Sequence, residues 1–214
     1  MTARWAALGL PPGGADVYHE LRGRHGEPHR RYHTFVHVAR VLREVGRLLP
    51  CAPGVDGATV ALAAWFHDAV YDPRAAAGAN EAASAALAAE RLGALAVPPA
   101  RVAEVGRLIS LTAGHAPAPG DTAGAVLVDA DLAVLGGDPA TYQTYVHGVR
   151  TEYAHVDDAG WRTGHAAVLR YLLDQATVFH VAAGDDRERR ARANIAAELA
   201  RLEAPPPARF VTRE

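Results

Sequence analysis

Apolar residues at helical spacing, and at strand spacing nowhere, restrict this chain more than any other feature. From Tyr32 to Leu49 the residues Val38, Val41, Leu42, Val45, Leu48 and Leu49 recur at steps of three and four, and Pro50 ends the run. That is the signature of an amphipathic helix with one buried face. Asp56 to Tyr71 carries Val60, Leu62, Trp65, Phe66 and Val70 with few charges and is closed by Asp72-Pro73. The residue before a proline is biased out of helical geometry, so a largely buried helix is expected there. Asn80 suits an N-cap and opens an alanine-rich helix to about Leu92. Pro98-Pro99 opens another, whose core face is Val102, Val105, Leu108 and Ile109. Ala125 to Leu135, an apolar run interrupted by two carboxylates and ended by Gly136-Gly137, fits a short buried helix. Asp138-Pro139 starts a helix bearing Tyr142, Tyr145, Val146 and Val149, and further helices are expected near Trp161 to His180 and Asp185 to Leu202. Neither period-two alternation nor a fixed-period repeat is found, so the expected class is all-α.

A length of 214 residues suits one helical domain spanning residues 1–214, with residues 1–14 and 204–214 expected as loosely ordered ends. The net charge of -2 is too balanced for an electrostatic grip on a nucleic-acid polymer or an anionic membrane. Any polyanion must be small and locally bound. All 22 basic residues are arginine, which excludes chemistry that needs a Schiff-base or P-loop lysine. Cys51 is alone, so no internal disulfide forms and a reducing compartment is expected. The longest strongly apolar stretch, Val60 to Phe66, is far short of the roughly 20 residues of a membrane span. The N-terminal stretch lacks a signal-peptide core. A cytoplasmic location is the expectation, and self-association into a homo-oligomer is left open.

Polar residues occupy positions where the core should be. On the 3.6-residue period His37 aligns with Val41, Val45 and Leu48, the face that must be buried. His67 and Asp68 end the most apolar helix, directly after Trp65-Phe66, where desolvating a carboxylate costs several kcal/mol unless it is compensated. Asp131 repeats the problem inside Val-Leu-Val-Asp-Ala-Asp-Leu-Ala-Val-Leu, and Asp129 competes with it as the ligand. One divalent cation held by His37, His67, Asp68 and Asp131 would answer all of these at once. Two imidazoles and two carboxylates suit Mn, Fe, Co, Ni or Zn, with Mg less favoured by histidine. Four protein ligands leave room for water and a phosphate oxygen, which makes such a site hydrolytic.

The order His37, His67-Asp68, Asp131 resembles the H…HD…D signature of the HD-domain superfamily of metal-dependent phosphohydrolases. Arg31-Tyr32-His33-Thr34-Phe35-Val36-His37, Trp65-Phe66-His67-Asp68-Ala69-Val70-Tyr71-Asp72, Asn80-Glu81 with Ser84, Asp129 to Gly136 and Arg150-Thr151-Glu152-Tyr153 are similar to a bacterial family of predicted HD phosphohydrolases, from about Trp5 to Leu202. The resemblance implies an HD-like helical bundle with additional C-terminal helices, the four ligands named above, and hydrolysis of a phosphomonoester or phosphodiester. It favours Asp131 over Asp129, because an alanine stands directly before the last aspartate. It also makes Asp68 the residue that touches the metal while orienting or deprotonating the nucleophilic water.

Other residues are candidates around that centre. His33 lies one turn before His37 and suits contact with a ligand residue or with a substrate phosphate. His115 falls between the HD pair and Asp131, where some superfamily members carry extra histidines. Glu81 could serve as a general acid or base, and Arg31 and Arg150 as phosphate clamps, because a guanidinium fork matches phosphate oxygens. His147, His155, His165 and His180 have no comparable company. The expected activity is cleavage of a small phosphate ester, with a nucleotide-like substrate among the options. The alternatives are a metal- and ligand-binding regulatory module without turnover and a helical interaction protein.

Overall fold

The computed structural model describes residues 2–181 and 186–204. Those residues form α-helices and short 3₁₀ turns with no strand among them: α1 (Thr2–Ala6), α2 (Gly14–Arg24), α3 (Phe35–Leu48), α4 (Gly57–Phe66), α5 (Ala79–Ala94), α6 (Pro99–Leu111), α7 (Thr122–Asp131), α8 (Pro139–Glu152), α9 (Asp158–Asp174) and α10 (Asp186–Glu203). The class is all-α.

α4 is the axis of the bundle. Thr59, Val60, Leu62, Ala63, Ala64, Trp65 and Phe66 are all buried, so the helix is covered on every side, as expected of one apolar all round. Asp56 caps it by accepting the N–H groups of Ala58 and Thr59. α3, α6 and α7 pack against α4, and α5 lies mainly on α6. α3 contributes the face His37, Val38, Val41, Leu42, Val45 and Leu48, all buried. A second apolar cluster gathers Leu135, Tyr142, Leu169, Leu172, Phe179, Ala191 and Ile195 around the 3₁₀ turn Leu132–Gly136. α8 and α10 both pack on that turn. Asp131 therefore stands where the two clusters join.

Several boundaries differ from expectation for local reasons. α4 stops at Phe66 because the next residues tighten: Ala69 N–H bonds the Phe66 carbonyl, and buried Arg30 takes the carbonyls of Asp68 and Ala69. Asn80 is not the N-cap of α5. Gly78, at φ 76°, precedes that helix, while the Asn80 amide exchanges two hydrogen bonds with the Asp72 backbone and closes the intervening loop. α9 begins at Asp158, capped by Asp157, and ends at Asp174 instead of continuing to His180. Residues 178–181 are held out of helix by carboxylates, Glu188 accepting from Val178 and Phe179, and Asp129 from His180 and Val181. α2 was not anticipated. Its core face, Val17, Tyr18 and Leu21, is too short to rise above the surrounding glycines.

The expectation of a loose N-terminus does not hold for residues 2–14. Trp5 is buried, its indole donates to the Gly14 carbonyl, and its ring meets Trp65 edge-on at 5.2 Å. Arg4 reaches the Leu42 carbonyl. Residues 205–214 and Met1 lie outside the described residues, as does Asp185, the expected start of the last helix. Trp5→Ala is expected to lower unfolding stability by about 3–5 kcal/mol in urea titration; an unchanged midpoint would mean that the terminus does not dock.

Candidate metal centre

Three elements carry the donor atoms. His37 projects from the first turns of α3, His67 and Asp68 follow the C-terminus of α4, and Asp131 is the last residue of α7. Imidazole Nε2 of His37 lies 3.1 Å from Nε2 of His67, 3.3 Å from Asp68 Oδ2 and 3.1 Å from Asp131 Oδ1. His67 Nε2 lies 3.1 Å from Asp68 Oδ2 and 3.6 Å from Asp131 Oδ1. The ligand atoms of His37, His67 and Asp131 form the compact part, all within 4.8 Å of one another, and Asp68 flanks it through both imidazoles. An ion with ligands at about 2.0–2.2 Å sets neighbouring donor atoms about 3.0–3.6 Å apart, according to coordination number. The observed separations fall in that range, so this buried group can hold a metal ion. Its mixed nitrogen and oxygen donors leave the choice among divalent ions open.

The surroundings orient the donors. His67 Nδ1 lies 2.9 Å from the Ala64 carbonyl. A carbonyl only accepts, so Nδ1 carries a proton and Nε2 is the ring atom turned toward the cluster, available as a donor to a metal ion. His115 Nε2 bonds Asp131 Oδ2 at 3.0 Å, fixing the carboxylate whose other oxygen faces His37. His115 adopts φ 50°, uncommon for a side-chain-bearing residue. Burial is the largest influence on all four central groups. It would lower both imidazoles and raise both carboxylates, but their mutual contacts outweigh it. The net result raises His37 and His67 and holds Asp68 and Asp131 well below the ordinary carboxylate range.

Asp129, the competing ligand, is turned away. It is buried and accepts the backbone N–H of His180 at 2.8 Å and of Val181 at 2.8 Å. Asp131→Asn is expected to abolish stoichiometric binding of Co(II), followed by its visible absorption. Asp129→Ala should retain the ion while losing about 3 kcal/mol of stability. The opposite assignment of metal loss would exchange the two roles.

Glu152 is the residue whose individual role sequence reasoning missed, although the stretch Arg150 to Tyr153 was noted. Gly148 lets α8 approach the backbone of Tyr32, since a Cβ there would sit 3.1 Å from the Tyr32 Cβ. One turn later Glu152 Oε1 accepts the N–H groups of Arg31, Tyr32 and His33 at 2.6, 2.8 and 3.0 Å. Its Oε2 meets His33 Nδ1 at 2.7 Å and the Tyr71 hydroxyl at 3.0 Å. Burial opposes ionisation, but His33 and the backbone donors overcome it and hold the carboxyl at about 2. An ionised carboxylate is acceptor-only, so His33 Nδ1 is the donor. The depressed value makes the ionised form stabilising above the ordinary 4.5 and its contribution vanishes as pH falls through about 2. Glu152→Gln should therefore cost about 3 kcal/mol near neutrality, with the gap to the unmodified protein closing below pH of about 2 in acid unfolding. A pH-independent difference would show that charge is not what matters.

The remaining candidates divide. His33, Asp68, Glu81, His115 and Asp131 line one cavity of about 540 Å³. Arg31 and Arg150 do not line it. The Arg31 guanidinium is spent on the carbonyls of Pro28 and Arg30, and that of Arg150 on Tyr153, Val156 and Asp158 while lying over Trp161. Neither is placed as a phosphate clamp. Arg30, not singled out from sequence, braces the HD turn instead. His147, His155 and His180 are exposed, and His165 is buried. A second cavity of about 680 Å³ touches His37 and Asp131 from the other side and is lined by Arg40, Arg43, Arg187 and Arg190. No helix among the described residues is long and apolar enough to cross a membrane. No family model matches the chain, and no curated protein or solved structure is significantly similar to it.

Proposed function

We propose that the protein is an HD-type metal-dependent phosphohydrolase that cleaves a small phosphate ester with water. The observation that carries this reading is the convergence of His37, His67, Asp68 and Asp131, from three separate elements, at the end of a cavity. A divalent ion in that group supplies Lewis acidity, lowering the pKa of water toward neutrality and offsetting phosphoryl charge.

The chain's own groups divide the remaining work. Asp68 borders the cavity and contacts both imidazoles, a position from which its carboxylate orients and accepts a proton from the attacking water. His33 has its Nδ1–H committed to Glu152, which leaves Nε2 for the cavity. There it holds a phosphate oxygen or gives a proton to the departing alkoxide. The carboxylate behind the ring orients it, and the three backbone bonds to Glu152 keep the pair in register. Glu81 lies on the same cavity wall in the first turn of α5 and is a more distant candidate for proton exchange.

Turnover of aryl, sugar and nucleotide phosphates with added Mn, Co, Ni, Zn, Fe or Mg tests the reading. Asp68→Ala should abolish it. His33→Ala should lower kcat by about 10²–10⁴-fold with metal content unchanged. A fully active Asp68→Ala protein would remove the mechanism, and ligand binding without turnover by the unmodified protein would favour a regulatory module.

A further inference from the structure

The cavity that holds His33, Asp68, His115 and Asp131 at one end extends to α8 and α9. That far end is built of Tyr153, Val156, Trp161, His165 and Val168. No arginine lines it among the described residues, and the chain has no lysine. Arg150 is close by, but its guanidinium lies over Trp161 and is bonded to Tyr153, Val156 and Asp158, and Arg40, Arg43, Arg187 and Arg190 line the other cavity. A ligand entering on the aromatic side thus meets aromatic and aliphatic groups, and the one nearby guanidinium is already engaged by Tyr153, Val156 and Asp158, so none lines the cavity to balance a second phosphate or a carboxylate.

One buried polar atom in that lining has no partner. His165 is 8% exposed, and its Nε2 is buried without a hydrogen-bond partner. The ring stacks on Trp161 with centroids 4.5 Å apart and planes 17° apart, which fixes the edge it offers. Burial lowers its affinity for a proton, so the ring is neutral. A buried polar atom with no partner is uncommon in native proteins and calls for one. A flat wall beside a single unanswered hydrogen-bonding nitrogen is the complement of a planar ring with one polar edge.

We propose that this end of the cavity is a subsite for a flat, uncharged aromatic group whose polar edge hydrogen-bonds His165 Nε2. The preferred ester is then the phosphate of a neutral aromatic alcohol and not a polyphosphate or a small sugar phosphate. The placement of the ring is argued from the cavity alone. Its assignment to the substrate rests on the phosphohydrolase reading above.

Benzimidazole, neutral at slightly alkaline pH and carrying both a ring donor and a ring acceptor, probes the subsite without metal or turnover. Indene has the same outline and no polar edge. In calorimetric titration of the full chain, benzimidazole should bind saturably, change Trp161 emission, and bind about tenfold more tightly than indene, the equivalent of one hydrogen bond. His165→Phe should remove that preference while leaving indene unaffected. Val168→Arg, at an exposed position on the cavity wall, should weaken both probes and serves as the second variant if His165→Phe does not fold. Absence of saturable binding, equal affinity for the two probes, or binding indifferent to Val168→Arg would overturn the subsite. In assays of turnover, 1-naphthyl phosphate should exceed glycerol 3-phosphate and triphosphate in kcat/KM. Hydrolysis without that preference overturns the subsite and leaves the hydrolase reading standing. Benzimidazole binding with no hydrolysis of any ester does the reverse.

Discussion

The structure depends on the mutual contacts of two carboxylates and two imidazoles at a point where burial opposes the charge of each. Burial is the largest single influence on Asp68, Asp131, His37 and His67 and opposes the charged form of each, but their contacts with one another, with His115 on Asp131 and with His33 near Asp68, outweigh it. None of the three elements that carry them could bury its own member in isolation without a cost of several kcal/mol. α3, the end of α4 and the end of α7 are consequently tied at one point, and the apolar faces around it are arranged to permit this. α4 is covered on every side, so its last turn delivers His67 to the interior instead of to solvent. A cation competes for the same lone pairs as the imidazole protons, which couples its binding to folding and to pH.

A second set of contacts gives the centre its shape. Glu152 comes from the C-terminal part of the fold and gathers three consecutive backbone donors of the 31–33 turn together with His33 and Tyr71. Arg30 works from the opposite side of that turn, giving its guanidinium to carbonyls of His33, Asp68 and Ala69. The approach that makes this feasible is the absence of a side chain at Gly148. One glycine thus lets α8 come close enough for a carboxylate four residues later to organise a histidine that sequence places on α3's approach. The aromatic face of Tyr71, 4.3 Å from the His33 ring by centroids, completes the support.

The helical class and the group of His37, His67 and Asp131 were legible because both are local signals. Period in the apolar residues gives helices, and a histidine or aspartate standing on an apolar face announces that something must answer it. His37 in line with Val41, Val45 and Leu48 is such a case, and its burial follows from α3 alone. What could not be read is pairing between segments. Arg31 and Arg150 look like anion ligands on composition, but each finds carbonyls within a few residues of itself. Asp129 and Asp131 are equivalent by apolar pattern, with only the family resemblance favouring Asp131, and the return of the chain at His180 and Val181 shows why Asp129 is turned away. The signal available for Glu152 was its position two residues after Arg150 in a stretch already marked, together with Gly148 one turn before it. The end of α4 was misplaced for a similar reason, since Arg30 and not Asp72-Pro73 terminates it.

The location of Asp131 has a further consequence. It ends α7 at the seam between two apolar clusters, and the cavities on either side of it are lined in opposite ways. On the His37 side arginines predominate, although Glu44 lies among them and pairs with Arg187, so part of that charge is already balanced internally. On the Asp68 side the walls are mostly rings and aliphatic groups, with Asn80, Glu81, Thr112 and His165 among the polar groups beyond the donor cluster. Electrostatic attraction draws anions toward the first, whereas desolvation favours flat neutral groups in the second. A ligand with one anionic end and one apolar end can satisfy both tendencies only by placing its charge at the donor cluster and its body toward α9. On the reading proposed above, any choice between ligands would therefore lie in the placement of α8 and α9 relative to α7, because a metal held by the central donors would bind a phosphate without choosing what it is attached to.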